Sequence, residues 1–132
     1  MPWEWHKPLF KYAQKLNLTI FSSPFDNTAV DLLEDLNTPA YKIASFEVID
    51  LPLIKYVAKT DRTIILDTGH SSLEEIARAV NWLNDEGKFD IIIQHSPLAP
   101  PVSVNQHNLE FMQTLGSCFG LPYGLSDHHI GE

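Results

Sequence analysis

Polar and ionisable side chains follow short apolar segments at several points along the 132-residue sequence. They comprise hydroxyls, one lysine, carboxylates and imidazoles: Ser22, Ser23, Lys42, Ser45, Glu47, Asp67, Thr68, His95, Ser96, Ser126, Asp127 and His128. Side chains of these types can bind a phosphate or carboxylate group and a divalent metal ion. If they meet at one place, the chemistry they predict is the binding of a small phosphorylated acid.

The elements that must position these side chains are short parallel strands alternating with helices. Apolar, β-branched segments predict five strands, at Leu18–Ser22, Ala40–Ala44, Thr63–Leu66, Asp90–Gln94 and Tyr123–Leu125. Apolar residues at helical spacing predict helices at His6–Leu16, Thr28–Leu36, Leu51–Lys59 and Asn108–Phe119, with another from the hydroxyl cap at Ser71–Ser72 to Gly87. Pro97, Pro100 and Pro101 predict an irregular loop before the last helix.

Two architectures have this alternation, a (β/α)8 barrel and a doubly wound sheet. A Gly-rich phosphate-binding motif does not follow the first strand, and polar residues follow every strand. Both features favour the barrel, whose active site collects residues from many strand ends. Because a complete barrel needs about 250 residues, we predict that residues 1–132 form one α/β domain that is part of a barrel.

The composition of the chain argues against some classes of binding partner. The net charge of −8 and the pI near 5.1 argue against nucleic-acid binding, which needs a clustered basic face. No apolar segment approaches the ~20 residues that span a bilayer, so a membrane protein is not expected. Cys118 is the single cysteine and cannot form an intramolecular disulfide, which is compatible with the cytoplasm.

Four motifs, in this order, resemble signatures of the sialic acid synthase family: Phe21–Asp26, Tyr41–Glu47, Thr68–Gly69 followed by Ser72–Ile76, and Gly124–His128. Ala44 and Phe46 make the pseudaminic and legionaminic acid synthase branch the closest in motif. The resemblance runs from about Leu18 to Gly131 and implies strands 3 to 7 of that family's TIM barrel. The family's first two strands, its eighth strand and its carboxyl-terminal antifreeze-like domain are not in this sequence.

The resemblance implies a function and a set of roles. The reaction is the condensation of phosphoenolpyruvate with an N-acetylated amino sugar, releasing phosphate, with Mn²⁺ or Mg²⁺ as cofactor and a homodimer in the full-length proteins. The implied catalytic residues are Glu47 and Lys42, and the implied phosphoenolpyruvate ligands are Ser23, Lys42, Ser45 and Ser126. His128 is the implied metal ligand, and Asp127 supports it.

Some positions depart from the family's pattern. Asp67 stands where the family commonly has serine, and a carboxylate there repels phosphate unless it pairs with a cation or a metal. His70 replaces a methionine or small apolar residue and is a candidate partner for Asp67. The segment His95–Pro100 lacks the asparagine and tyrosine expected after the sixth strand, and His95 itself is either part of the site or a packing residue.

These departures keep other functions open. One alternative is a non-catalytic ligand-binding or assembly module derived from the same fold. Another is a different phosphoenolpyruvate-using barrel aldolase that accepts a sugar phosphate.

Overall fold

Four parallel strands form one sheet in the part of the chain that the structure describes. That structure is a computed structural model, and it describes residues 1–97 and 106–128. The strands are β1 (Ala40–Ile43), β2 (Thr63–Asp67), β3 (Ile91–His95) and β4 (Tyr123–Leu125). Their order in the sheet is their order in the chain. A doubly wound sheet reverses its strand order at a switch point, so the observed order is that of consecutive barrel strands.

Five α-helices lie close to their predicted bounds. They are α1 (His6–Lys15), α2 (Asn27–Asp35), α3 (Leu51–Ala58), α4 (Leu73–Asp85) and α5 (Glu110–Phe119). Two 3₁₀ turns, Trp3–Trp5 and Ser45–Ile49, were not predicted. The cap predicted for α4 is confirmed, since Ser72 Oγ accepts a hydrogen bond from Glu75 N and Glu75 Oε2 accepts one from Ser72 N.

The predicted first strand, Leu18–Ser22, is wrong as a strand. It forms one isolated parallel bridge, in which the Lys42 backbone N–H donates to the Ser22 carbonyl at 3.2 Å. Leu18 and Phe21 are 60% and 42% exposed, so pairing here buries little apolar surface. The segment therefore forms a single bridge at the edge of β1 and not a strand.

The two faces of the sheet differ in composition. Ile43, Leu66 and Ile93 are in register across β1, β2 and β3, are fully buried, and belong to the core that the helices cover. Lys42, Ile65 and Ile92 form the adjacent row, whose side chains point to the other face because direction alternates along a strand. Ile65 and Ile92 are only partly buried and lie outside that core. The second face is therefore the one available to a site.

The sheet curves toward this second face. In a flat sheet, three strand spacings of about 4.8 Å would place β4 roughly 14 Å from β1. Yet the Nζ atom of Lys42 on β1 lies 2.9 Å from the Oγ atom of Ser126, directly after β4. Contact across three strand spacings needs a concave sheet, as in a barrel wall.

Candidate active site

Lys42 lies on the edge strand β1, and its side chain reaches across the concave face. Its ammonium group donates to Ser126 Oγ at 2.9 Å and lies 2.8 Å from Asp67 Oδ2. Register accounts for this meeting, because Lys42 pairs with Ile65 and Asp67 lies two residues further along β2 on the same face. Ser126 follows Gly124, which pairs with Gln94 in the same row as Asp67. Side chains from β2 and from the segment after β4 thus meet the ammonium group of a lysine on β1.

Asp67 accepts hydrogen bonds on one of its carboxylate oxygens and forms an ion pair through the other. Its side chain is 5% exposed, and its Oδ1 atom accepts from Ser45 Oγ at 2.9 Å and from Gly69 N at 3.3 Å. With Lys42 on Oδ2, both oxygens have donors, as a buried carboxylate requires. The sequence indicated that a carboxylate at this position needs a cation or a metal beside it, and Lys42 is that cation. His70 is not that cation: its ring stacks on Phe46 at a centroid distance of 4.4 Å.

Gly69 allows the loops after β1, β2 and β3 to approach one another. A Cβ atom at this position would lie 2.9 Å from Ser45 Oγ, Ser96 Cβ and Ser96 O. Such distances are shorter than carbon atoms tolerate, so a side chain here would displace the Ser45 hydroxyl or the loop after β3. The glycine therefore sets the position of Ser45 against Asp67.

Two buried side-chain oxygens lack a hydrogen-bond partner among the described residues. They are Glu47 Oε2 and Gln94 Oε1. Burial, more than the nearby charge of Asp50, raises the pKa of Glu47 above its ordinary value. Gln94 is in register with Asp67, so it belongs to the concave face. An unsatisfied polar atom in a buried setting is a position where a ligand or water supplies the missing bond.

His95 lies on the opposite face from Lys42. It follows the buried Ile93 by two residues, its ring packs edge-on against Phe111 of α5, and its Nε2 atom lies 2.7 Å from the carbonyl oxygen of His107. The structure thus places His95 in packing rather than in the network around Lys42. Residues 98–105, including most of the predicted proline loop, lie outside the described residues.

A short connection links β3 to the segment after β4. His107 is 8% exposed, and its Nε2 atom lies 3.1 Å from Asp127 Oδ1. The backbone N–H of Ser126 donates to the His95 carbonyl at 2.8 Å, which fixes the same segment from the other side. Sequence reasoning missed His107 because a histidine in the segment before α5 carries no local signal. It also missed Gln94. The signal there was its position two residues after Ile92, which places a polar side chain on the same face of the strand.

Ser23, Glu47 and His128 take no part in the hydrogen bonds that join Lys42, Ser45, Asp67 and Ser126 in the described structure. Ser23 comes directly after the bridge to β1. His128 is exposed, next to Asp127. Within residues 1–97 and 106–128, no three His, Cys, Asp or Glu side chains lie close enough to hold a metal ion. The described residues therefore do not form a complete metal site.

Comparison with known proteins then decides the family. The NeuB family matches the chain over residues 1–132. The chain belongs to this family. This NeuB chain is 47% identical over 131 residues to a pseudaminic acid synthase of Helicobacter pylori, covering 99% of this chain and 38% of that protein. It is 41% identical over 128 residues to an N,N'-diacetyllegionaminic acid synthase of Campylobacter jejuni, covering 96% and 38%.

Solved structures confirm the fold of the NeuB chain. A sialic acid synthetase from Leptospira borgpetersenii, solved in complex with citrate, superposes with a TM-score of 0.93 at 29% identity, over 99% of this chain and 46% of that one. The spore coat polysaccharide biosynthesis protein SpsE of Bacillus subtilis gives 0.92 at 33% identity, over 98% and 36%. The predicted fold class, a partial (β/α)8 barrel, is confirmed, and so is the predicted family branch.

The NeuB chain spans less than half the length of the relatives it matches. Two of those relatives are synthases by name, so the family to which this chain belongs contains enzymes. In the part of the chain that the structure describes, each helix is too short or too polar to cross a bilayer.

Proposed function

We propose that the protein acts in a nonulosonate synthase that condenses phosphoenolpyruvate with an N-acetylated amino sugar and releases phosphate. The observation that carries the proposal is the convergence of Lys42, Ser45 and Ser126 on the concave face of a barrel wall. Relatives at 47% and 41% identity are named pseudaminic and diacetyllegionaminic acid synthases, which supports this product class.

The phosphoenolpyruvate end of the site is assigned to a cation and hydroxyls. Lys42 supplies a positive charge for a carboxylate or phosphate oxygen, and the Ser126 hydroxyl donates a hydrogen bond to the same ligand. Ser45 contributes through Asp67, whose Oδ1 atom accepts its hydroxyl proton. Ser23 joins them from the segment that bridges to β1. Positioning the acid by several directed bonds lowers the entropy lost in bringing its double bond to the sugar.

Glu47 is assigned to proton transfer at the sugar. Its pKa is raised by burial, so it holds a proton at higher pH than an ordinary glutamate. Its Oε2 atom is buried without a hydrogen-bond partner, and a hydroxyl or aldehyde oxygen of the acceptor would supply one. In this role Glu47 donates a proton to the oxygen that becomes a hydroxyl when the carbon–carbon bond forms.

A divalent metal, Mn²⁺ or Mg²⁺, is part of the proposal with His128 as one ligand. The described residues supply too few donors for a complete site, so no step is assigned to the metal. A homodimeric assembly and a cytoplasmic location belong to the same proposal.

A segment exchange tests this function within a complete barrel. Residues 1–132 would replace the matching segment of the Helicobacter pylori synthase, and the chimera would be assayed for phosphate release and for the condensed keto acid by mass spectrometry. Sugar-dependent formation of both products is expected, and Lys42→Ala in the chimera should abolish it. A chimera that folds, as judged by circular dichroism and its melting curve, yet forms no product would reject the proposal.

One observation favours a second candidate, a ligand-binding module without catalysis. Asp67 already neutralises Lys42, which weakens the attraction of the pocket for a phosphorylated acid. In that case the chimera would bind phosphoenolpyruvate or sugar without turnover.

A further inference from the structure

Asp67 lies beside the Lys42 ammonium group on the concave face. The Lys42 ammonium group lies between Asp67 Oδ2 and Ser126 Oγ, and the Ser45 hydroxyl is bonded to the other Asp67 oxygen. Three groups that would bind an anion are therefore engaged directly or indirectly with an internal carboxylate. The pair carries no net charge, and Asp67 is almost completely removed from water.

We propose that Asp67 is the specificity-determining residue of this pocket, and that it selects ligands by charge. A ligand anion reaches Lys42 in exchange for the Asp67 contact, and while it is bound it lies beside a carboxylate that stays in place. The repulsion grows with ligand charge, so Asp67 weakens the binding of a phosphorylated acid more than that of a monocarboxylate such as pyruvate. This inference rests on the proposed function, because it concerns the same pocket.

The geometry explains why Asp67 does not simply swing away. Its Oδ1 atom is held by a hydroxyl and a backbone N–H, from Ser45 and Gly69, and neither bond depends on Lys42. Gly69 also lies so close to Ser45 and Ser96 that an added Cβ atom would be 2.9 Å from each. An incoming anion can therefore displace Lys42 from Asp67 more readily than it can displace Asp67 from its loop.

The size of the effect follows from charge and distance. Two unit charges about 5 Å apart interact strongly enough at an intermediate dielectric to change a binding constant by on the order of 10- to 100-fold. Phosphoenolpyruvate carries a carboxylate and a phosphate group whose charge is about −1.5 to −2. Pyruvate carries the carboxylate alone. Removing the Asp67 charge should therefore help phosphoenolpyruvate much more than pyruvate.

The test is calorimetric titration of phosphoenolpyruvate and of pyruvate into the protein and its Asp67→Asn and Asp67→Ser variants. Asparagine keeps an acceptor for Ser45 and Gly69 but cannot pair with the ammonium group. We expect pyruvate affinity to rise by about 10-fold in both variants, and phosphoenolpyruvate affinity to rise by about 100-fold or more. The gain should disappear when Lys42→Ala is added to Asp67→Asn.

Each other outcome overturns the inference. Equal gains for the two ligands would mean that Asp67 acts by occupying space. Weaker binding of phosphoenolpyruvate in Asp67→Asn would mean that Asp67 only positions Lys42. Absence of anion binding by both folded variants would mean that the freed ammonium group does not form an anion site.

The two proposals fail separately. Equal gains with a productive chimera would leave the synthase function intact. Charge-dependent gains with an inactive chimera would leave Asp67 as a selector in a pocket that does not catalyse condensation.

Discussion

Lys42 Nζ lies 2.8 Å from Asp67 Oδ2, and this ion pair joins neighbouring strands on the concave face of the barrel wall. Burial makes the pair sensitive to loss of either partner, because the remaining charge is left in a poorly hydrated setting. The same two residues therefore govern both the stability of this face and the charge that a ligand meets.

Lys42→Ala should destabilise the protein by about 1–3 kcal/mol. The cost is limited because Asp67 keeps its bonds from Ser45 and Gly69. Chemical denaturation monitored by circular dichroism measures it. Adding Asp67→Asn should recover most of the loss, since no buried charge then remains unpaired. A double variant as unstable as the sum of the two single variants would show that the pair is not coupled.

Gly69→Ala should weaken both folding and anion binding. The added methyl group would lie 2.9 Å from Ser45 Oγ and from the Ser96 backbone oxygen, so the loops after β1, β2 and β3 must move apart. We expect a loss of about 1–3 kcal/mol in the free energy of unfolding. Gly87→Ala is unsuitable as a control because Gly87 has a positive φ, which strains alanine. The control variant is Gly124→Ala, because a Cβ atom at Gly124 meets nothing within 4 Å. Equal stability of the two variants would contradict the close approach.

Glu47→Gln should raise stability near neutral pH while it abolishes proton transfer. The folded protein holds the Glu47 proton more tightly than the unfolded chain, because burial raises the pKa above its ordinary value of 4.5. Its contribution to stability is therefore fully present below that value and is lost as pH rises through the folded pKa. Melting temperatures from pH 4 upward should show the variant gaining on the wild type as pH increases. A difference that does not change with pH would reject this assignment.

The pH dependence of turnover gives a separate prediction for Glu47. If it donates a proton, activity of the chimera should fall as pH rises through its raised pKa. Glu47→Gln should remove that limb of the profile together with most of the activity. An unchanged profile at reduced activity would assign the limb to another group.

His107→Ala should loosen the segment that carries Ser126 to His128. The imidazole of His107 bonds Asp127, and its carbonyl oxygen receives the His95 contact. The carbonyl remains in the variant, so we expect a modest loss of about 0.5–1.5 kcal/mol in unfolding free energy. Faster amide hydrogen exchange after β4, with unchanged exchange in β1 and β2, would be the accompanying sign. Uniform exchange would mean that His107 does not hold this segment.

Local signals account for most of the fold. Helix α4 was predictable because Ser72 and Glu75 form a capping box and the apolar residues follow at helical spacing. β1 to β3 were predictable because their apolar residues are buried on the helix-covered face, whereas β4 contributes no residue to that core. Leu18–Ser22 has the same strand composition, but a strand also needs a neighbour and burial, and neither is a property of the segment itself.

The site was only partly predictable for a related reason. Composition at the strand ends identified Lys42, Ser45 and Ser126, and register then brings them together. Which charge Asp67 would meet depended on contacts between residues far apart in sequence, and Lys42 rather than His70 is the partner. The face on which His95 lies depended on the end of β3, one residue beyond the predicted boundary. Within the strand, alternation places His95 on the same face as Ile93, whereas a residue in the following loop has no such constraint.

The most direct measurement of the central claim is calorimetric titration of phosphoenolpyruvate into the protein, with and without Mn²⁺, repeated on Lys42→Ala. Our account predicts saturable binding by the wild-type protein that is lost in a folded Lys42→Ala variant. Undiminished binding by Lys42→Ala, or no binding by the wild-type protein at millimolar ligand, would contradict the assignment of this face as a phosphoenolpyruvate site.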